Sequence, residues 1–173
     1  MKIKMFINAL CITFLTIFST GCANYKLGST LDPALADVYV PTVRSKVNQP
    51  GIEAIVTSAI LKEIQREGTL RISNKAKAST ILEIEIIDYD QTSLRYQSDD
   101  RGRTAEYTMT IKAVVSFRRH NSIIKDPIIL QGVYFGEEIF QTQMDIISAK
   151  QRCLPEASKD LAEQIIDACI SVW

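Results

Sequence analysis

Histidine is nearly missing from this sequence: among 173 residues only His120 carries an imidazole. There is no His-x-x-x-His or Cys-x-x-Cys pair and no Asp-rich loop, so the ordinary ligand spacings for zinc and calcium are lacking. A Gly-x-Ser-x-Gly nucleophile elbow and a phosphate-binding loop are lacking too; Gly102 stands alone in its stretch. No excess of one charge exists, with 20 Lys and Arg against 20 Asp and Glu, and that excludes the cationic surplus of a nucleic-acid binder. Nor is there a repeat or a low-complexity segment. These absences disfavour an enzyme and point to a chain that works by binding.

What is present begins at the N-terminus. Lys2 and Lys4 precede Met5–Phe18, an uncharged stretch of 14 residues, too short for a membrane span of about 20 apolar residues. A basic start, an apolar middle and small residues at the end make a secretory leader. It stops at Ser19-Thr20-Gly21-Cys22, the arrangement read by a bacterial lipoprotein signal peptidase, although Ser19 stands where such leaders usually carry an apolar residue. The alternative is an ordinary leader that leaves Cys22 as a plain thiol. The expected organisation is therefore a signal peptide at 1–21, a lipidated Cys22 with a tether through 22–36, and one domain at 37–173. Removing 21 of 173 residues leaves 152, the size of a single domain with a real core. Ala23, in place of an Asp after the cysteine, is compatible with sorting to an outer membrane.

Along the chain, Asp37–Val40 reads as a short strand that Pro41 ends, and Arg44–Gln49 as a polar loop. Pro50-Gly51-Ile52 opens a helix whose stripe is Ile52, Ile55, Val56, Ala59, Ile60 and Ile64, closed by Gly68. Leu70–Ile72 is a second short strand. Leu82, Ile84 and Ile86 alternate with Glu83 and Glu85, and Tyr107 to Phe117 alternate with Thr108, Thr110, Lys112 and Ser116, giving two strands with one oily and one wet face. Ile128–Phe140 is less regular, and Gly132 and Gly136 imply bulges or bends in it. Loops at Gln91–Arg103 and His120–Asp126 join these strands as antiparallel neighbours. The last segment supplies a second helix through Leu154, Leu161, Ile165, Ala168 and Val172, with Pro155 marking a kink or a new first turn. The fold class is α+β: two helices on one face of a roughly four-stranded, mixed but mainly antiparallel sheet.

The candidate chemistry is modest. Glu83 and Glu85 share a strand face, the ordinary pattern of a wet sheet surface, and His120 lies in a turn. Cys153 and Cys169 would be about 24 Å apart on one continuous helix and could not bond, whereas a break at Pro155 would leave a disulfide open. Arg95, Arg101 and Arg103 fall in the long loop, and Arg118 and Arg119 at the other end of the sheet. Arginine clusters suit bidentate capture of phosphate or carboxylate groups, while solvated loop charge is the plainer alternative.

The order of these features resembles a known family. A lipoprotein cysteine is followed by Tyr25-Lys26-Leu27-Gly28, then Val38-Tyr39-Val40-Pro41, then Pro50-Gly51-Ile52-Glu53 opening a helix that closes at Glu67-Gly68-Thr69-Leu70, then the strands and a final helix ending near Trp173. This looks like the lipopolysaccharide-assembly lipoprotein family, LptE. The resemblance implies a small α/β sandwich without an active site or cofactor, anchored by its lipid in the outer membrane. Such a protein plugs an outer-membrane β-barrel, LptD, assists lipopolysaccharide assembly in the outer leaflet and can bind lipopolysaccharide itself. On this reading the polar sheet face and the loops meet the barrel wall, and Arg95, Arg101, Arg103, Arg118 and Arg119 meet glycolipid phosphates. The alternative of the same class is an accessory lipoprotein of another envelope lipid-transport or secretion complex.

Overall fold

A computed structural model describes residues 32–96, 105–120, 128–142 and 146–172. After a short 3-10 turn at Pro33–Leu35 come β1 (Asp37–Tyr39), β2 (Arg44–Ser45), α1 (Ile52–Glu67), β3 (Arg71–Ile72), β4 (Thr80–Tyr96), β5 (Ala105–Arg119), β6 (Ile128–Thr142) and α2 (Ile146–Ser171). The strands form one mixed sheet in the order β3-β1-β4-β5-β6, with β2 also paired to β4. β1 runs parallel to both β3 and β4, whereas β4, β5 and β6 are a long antiparallel meander. The α+β class therefore holds. The strand expected at Leu70–Ile72 is present as β3, and the strand count rises above four with it and with β2, a dipeptide too short to produce an alternation.

Alternation decides which face is covered. On β5, Met109, Ile111, Ala113, Val115 and Phe117 are all fully buried, while their even-numbered neighbours are partly exposed. They face α1 and α2, together with Leu82, Ile84 and Ile86 of β4 and Val56, Ile60, Ile64, Leu161, Ile165 and Ile166 of the helices. Each large side chain buried there contributes roughly 1.5–3 kcal/mol. α1 ends where expected: Gly68 adopts a left-handed φ of 82° and its N–H donates to the Ile64 carbonyl at 3.1 Å.

Three local expectations are corrected. Pro155 lies inside one continuous helix and starts no new one. Its missing N–H would have served the carbonyl of Gln151, an exposed residue. Gly132 and Gly136 make no bulge, since β6 pairs in unbroken register with β5 across both; the only irregularity in that pair falls at Phe117/Arg118. Gly136 instead lets a helix approach, because a Cβ there would overlap the Ala157 carbonyl oxygen and sit 2.7 Å from the Leu161 nitrogen. Finally, Arg44–Gln49 is not all loop, as its first two residues add β2 beside β4.

One ion-pair cluster ties the helices together. Arg66 donates from Nε and Nη2 to the two carboxylate oxygens of buried Glu63, both at 2.8 Å, and from Nη2 to Glu163 of α2 at 2.9 Å. The Glu63 hydrogen bond, followed by the Glu63 charge, raises the guanidinium pKa. Arg66→Ala leaves Glu63 buried without its counter-charge, so it is expected to lower the melting temperature more than Glu163→Ala does. Thermal denaturation of the two variants side by side checks the order.

Candidate functional site

Among the described residues the face of the sheet away from the helices is left open, and β4 determines its chemistry. Up to Ile86, the even positions of β4 point to the helices. Continued unchanged, that parity would drive Asp88 and Asp90 into the core. The register against β5 shifts between Ile86 and Asp88, an extra residue at Ile87 that turns the strand over. Beyond it Tyr89 is half-buried toward the helices, and Asp88 and Asp90 stand exposed on the open face beside Glu83 and Glu85.

Two of these carboxylates are paired. Arg118 Nη2 donates to Glu83 Oε1 at 3.1 Å, and Lys46 Nζ lies 2.8 Å from Glu85 Oε2. The hydrogen bond from Lys46 is the largest influence holding Glu85 below the usual carboxylate range. Asp88 and Asp90 enter no ion pair among the described residues; Asp88 accepts from the Tyr89 N–H and Asp90 from the Thr92 hydroxyl. On the neighbouring strand, the Lys112 ammonium lies 5.3 Å from the centroid of the Phe135 ring, a cation–π contact between β5 and β6. Glu83 and Glu85 thus belong to a wet, acidic face.

Of the five arginines, the three on described strands are not brought together. Arg95 lies on β4, paired with Glu106, because β4 extends to Tyr96; this corrects its expected place in the loop. Arg101 and Arg103 lie outside the described residues, as does Cys22. Arg118 and Arg119 pair with Ile81 and Thr80 at the opposite end of the β4–β5 ladder. At about 3.3 Å per residue Arg95 and the Arg118–Arg119 pair stand roughly 45 Å apart along the ladder. Arg118 is engaged by Glu83, and Arg119 is exposed. His120 ends the same strand, its N–H donating to the Ser79 carbonyl at 2.7 Å.

Two clefts mark the helix side. One, of about 670 Å³, lies where α1 and α2 meet β4, lined by Pro50, Ile55, Tyr89, Gln91 and Leu154 among others. The other, of about 550 Å³, runs between the helices over Ile55, Ala59 and Pro155, with Lys62 and Lys159 on its rim. Among the described residues no three His, Cys, Asp or Glu side chains are grouped to hold a metal ion, and no helix is long and apolar enough to cross a membrane.

Cys153 and Cys169 are free and buried on the single helix α2, which resolves the disulfide question. Burial pushes both thiols up, Cys169 to about 12. The folded domain is therefore expected to leave both thiols unreacted with a thiol reagent at pH 8 and to release them on unfolding. Since the fold favours the protonated form of Cys169, that contribution is whole below the ordinary thiol value near 9 and is lost as pH rises toward 12. A urea titration repeated across that window should show falling stability, less steeply in Cys169→Ala.

Known proteins place this fold. A protein from Xanthomonas campestris, XCC0632, superposes with a TM-score of 0.55 at 11% identity, covering 85% of this chain and 93% of that one. A neuraminyllactose-binding hemagglutinin homolog from Helicobacter pylori superposes at 0.52 with 12% identity, covering 83% and 88%. At such identities the likeness is one of fold. No curated protein matches the sequence significantly. The family model described as LptE, lipopolysaccharide-assembly, matches residues 35–168, from the turn before β1 to the last turns of α2. Over that span lie every strand and both helices, and the chain belongs to the LptE lipopolysaccharide-assembly family.

Proposed function

We propose that this protein is an outer-membrane lipoprotein that seats itself in a partner β-barrel of the LptD kind and assists delivery of lipopolysaccharide to the outer leaflet. The observation that carries the reading is the family match across residues 35–168, nearly the whole folded domain. The leader and Cys22 supply its anchor: each buried acyl methylene contributes about 0.8 kcal/mol, and two chains hold a protein stably on a bilayer. The arrangement of the domain supports a scaffold, since one sheet face is sealed by helices and the other is free to meet a wall.

Lipopolysaccharide is the second proposed ligand. Its phosphates would be met by Arg95, Arg101 and Arg103, in the end of β4 and the segment that follows it in sequence, with Arg119 and the Glu83-bound Arg118 as a separate group. Reversing charge in Arg101→Glu, Arg103→Glu is expected to weaken binding to lipopolysaccharide micelles while the melting temperature stays within about 2 °C. Unchanged binding would take that segment out of the proposal.

Purification of the tagged full chain from detergent-solubilised envelopes tests the main reading. A barrel of outer-membrane size is expected to come with it in near-stoichiometric amount. Recovery of a different envelope complex, with no such barrel, would replace this reading by that of an accessory lipoprotein.

A further inference from the structure

The open face of the sheet is divided lengthwise by chemistry. Along β4 it is acidic, through Glu83, Glu85, Asp88 and Asp90, and among the described residues only the first two form ion pairs. Along β6 it is mainly apolar: Val133, Phe135 and Ile139, pointing away from the helices, are 46%, 43% and 61% exposed, with the Glu137 carboxylate between the last two accepting from the Thr110 hydroxyl. Three large apolar side chains on one strand face differ from the scattered singles of an ordinary surface. They also lie on the last strand of the sheet order, the kind of edge that folded proteins usually shield. One edge group is shielded, since the Glu137 N–H donates to Asp160 Oδ2 of α2 at 2.9 Å. The apolar groups stay exposed, with the Lys112 ammonium against the ring of Phe135.

We infer that this open face is where the partner protein sits, and that the partner presents cationic side chains to β4 and apolar side chains to β6. The inference rests on the barrel reading above and adds to it which face is engaged and what the barrel wall must carry there. Two other occupants fit poorly. A membrane surface rich in anionic headgroups would be repelled by the unpaired Asp88 and Asp90. A second copy fails by symmetry: packing two such faces about an axis along the strands sets β4 carboxylates against the β6 apolar row and strips them of water. An axis across the strands sets carboxylate against carboxylate. A wall with arginine or lysine on one side and apolar groups on the other satisfies both strips at once.

The test places a photo-crosslinking amino acid at Asp90 or Phe135, and for comparison at Ser58 or Glu156 on the helix side, in the full-length protein in its own envelope. Adducts of barrel size are expected from Asp90 and Phe135 and not from Ser58 or Glu156. Alongside, Asp88→Lys, Asp90→Lys should reduce the barrel recovered by about tenfold, a modest cost for placing like charges at an interface. Lys62→Glu, Lys159→Glu should leave recovery unchanged. Thermal melting shows that each variant is folded, and the crosslinking readout stands without the charge variants. If the barrel co-purifies but adducts form only from the helix side, or if the sheet positions yield dimers of this chain, the face is wrongly assigned while the barrel reading survives. If no barrel accompanies even the unsubstituted protein, the reading beneath the inference falls and takes it along.

Discussion

Gly136→Val is expected to lower the melting temperature by roughly 10 °C or more. A Cβ at this position would overlap the carbonyl oxygen of Ala157 and lie 2.5 Å from the Cβ and 2.7 Å from the nitrogen of Leu161. Two of those three atoms are helix backbone, which cannot swing aside as a long side chain can. To admit even one methyl, α2 must lift from β6, and with it Leu161 and Ile165 from the core. Overpacking ordinarily costs about 1–3 kcal/mol; a branched side chain against rigid backbone belongs at or above the top of that range. Set against a total stability of about 5–15 kcal/mol, a loss of that size lowers the melting temperature by roughly 10 °C or prevents folding. Gly132 supplies the contrast. A Cβ there meets only the ring of Tyr134, at 3.1 Å, and that side chain is partly exposed and free to shift. Gly132→Ala should melt within about 3 °C of the parent, a change of under 1 kcal/mol. Circular dichroism melts of the two variants decide whether close helix approach, and not strand bending, is what position 136 requires.

Cys22→Ser is expected to abolish lipid attachment completely and to leave the protein as its unprocessed precursor. A single acyl chain supports only marginal, reversible binding, about 10⁴ M⁻¹, and stable anchoring takes a second. Without the thiol neither the thioether-linked lipid nor cleavage at this site can occur, so the variant keeps its leader of 21 residues. Gel mobility and intact mass give the answer, and mass spectrometry of the native N-terminus should find the acylated cysteine. A Cys22→Ser protein processed at this site like the parent, or an unmodified native thiol, would remove the anchor.

Much of the fold could be read from the sequence where one face is oily and the other wet. The β5 pattern from Tyr107 to Phe117 and the α1 stripe from Ile52 to Ile64 are each half-buried by a single partner layer, so periodicity reports them faithfully. The reading failed where that condition fails. β6 carries apolar groups on both faces, Tyr134 and Phe140 toward the helices and Val133, Phe135 and Ile139 away from them, so its alternation vanishes and its glycines were assigned to bends. β4 continues through Gln91-Thr92-Ser93, polar on either face, and so its end resembled a loop and carried Arg95 into one. The bulge at Ile87 does leave a mark, because Ile87-Asp88 breaks the even-position rule that Leu82–Ile86 obey. The apolar row on β6, which changes the open face from uniformly polar to two-sided, needed the fold to be seen.

If the protein serves lipopolysaccharide assembly at the cell surface, its controlled depletion in its own bacterium should change the lipopolysaccharide accessible from outside the cell. Surface lipopolysaccharide is expected to fall as the protein is lost, to accumulate inside the envelope, and to return when the full chain is resupplied. Surface lipopolysaccharide that stays at its normal level after the protein has gone would contradict that role.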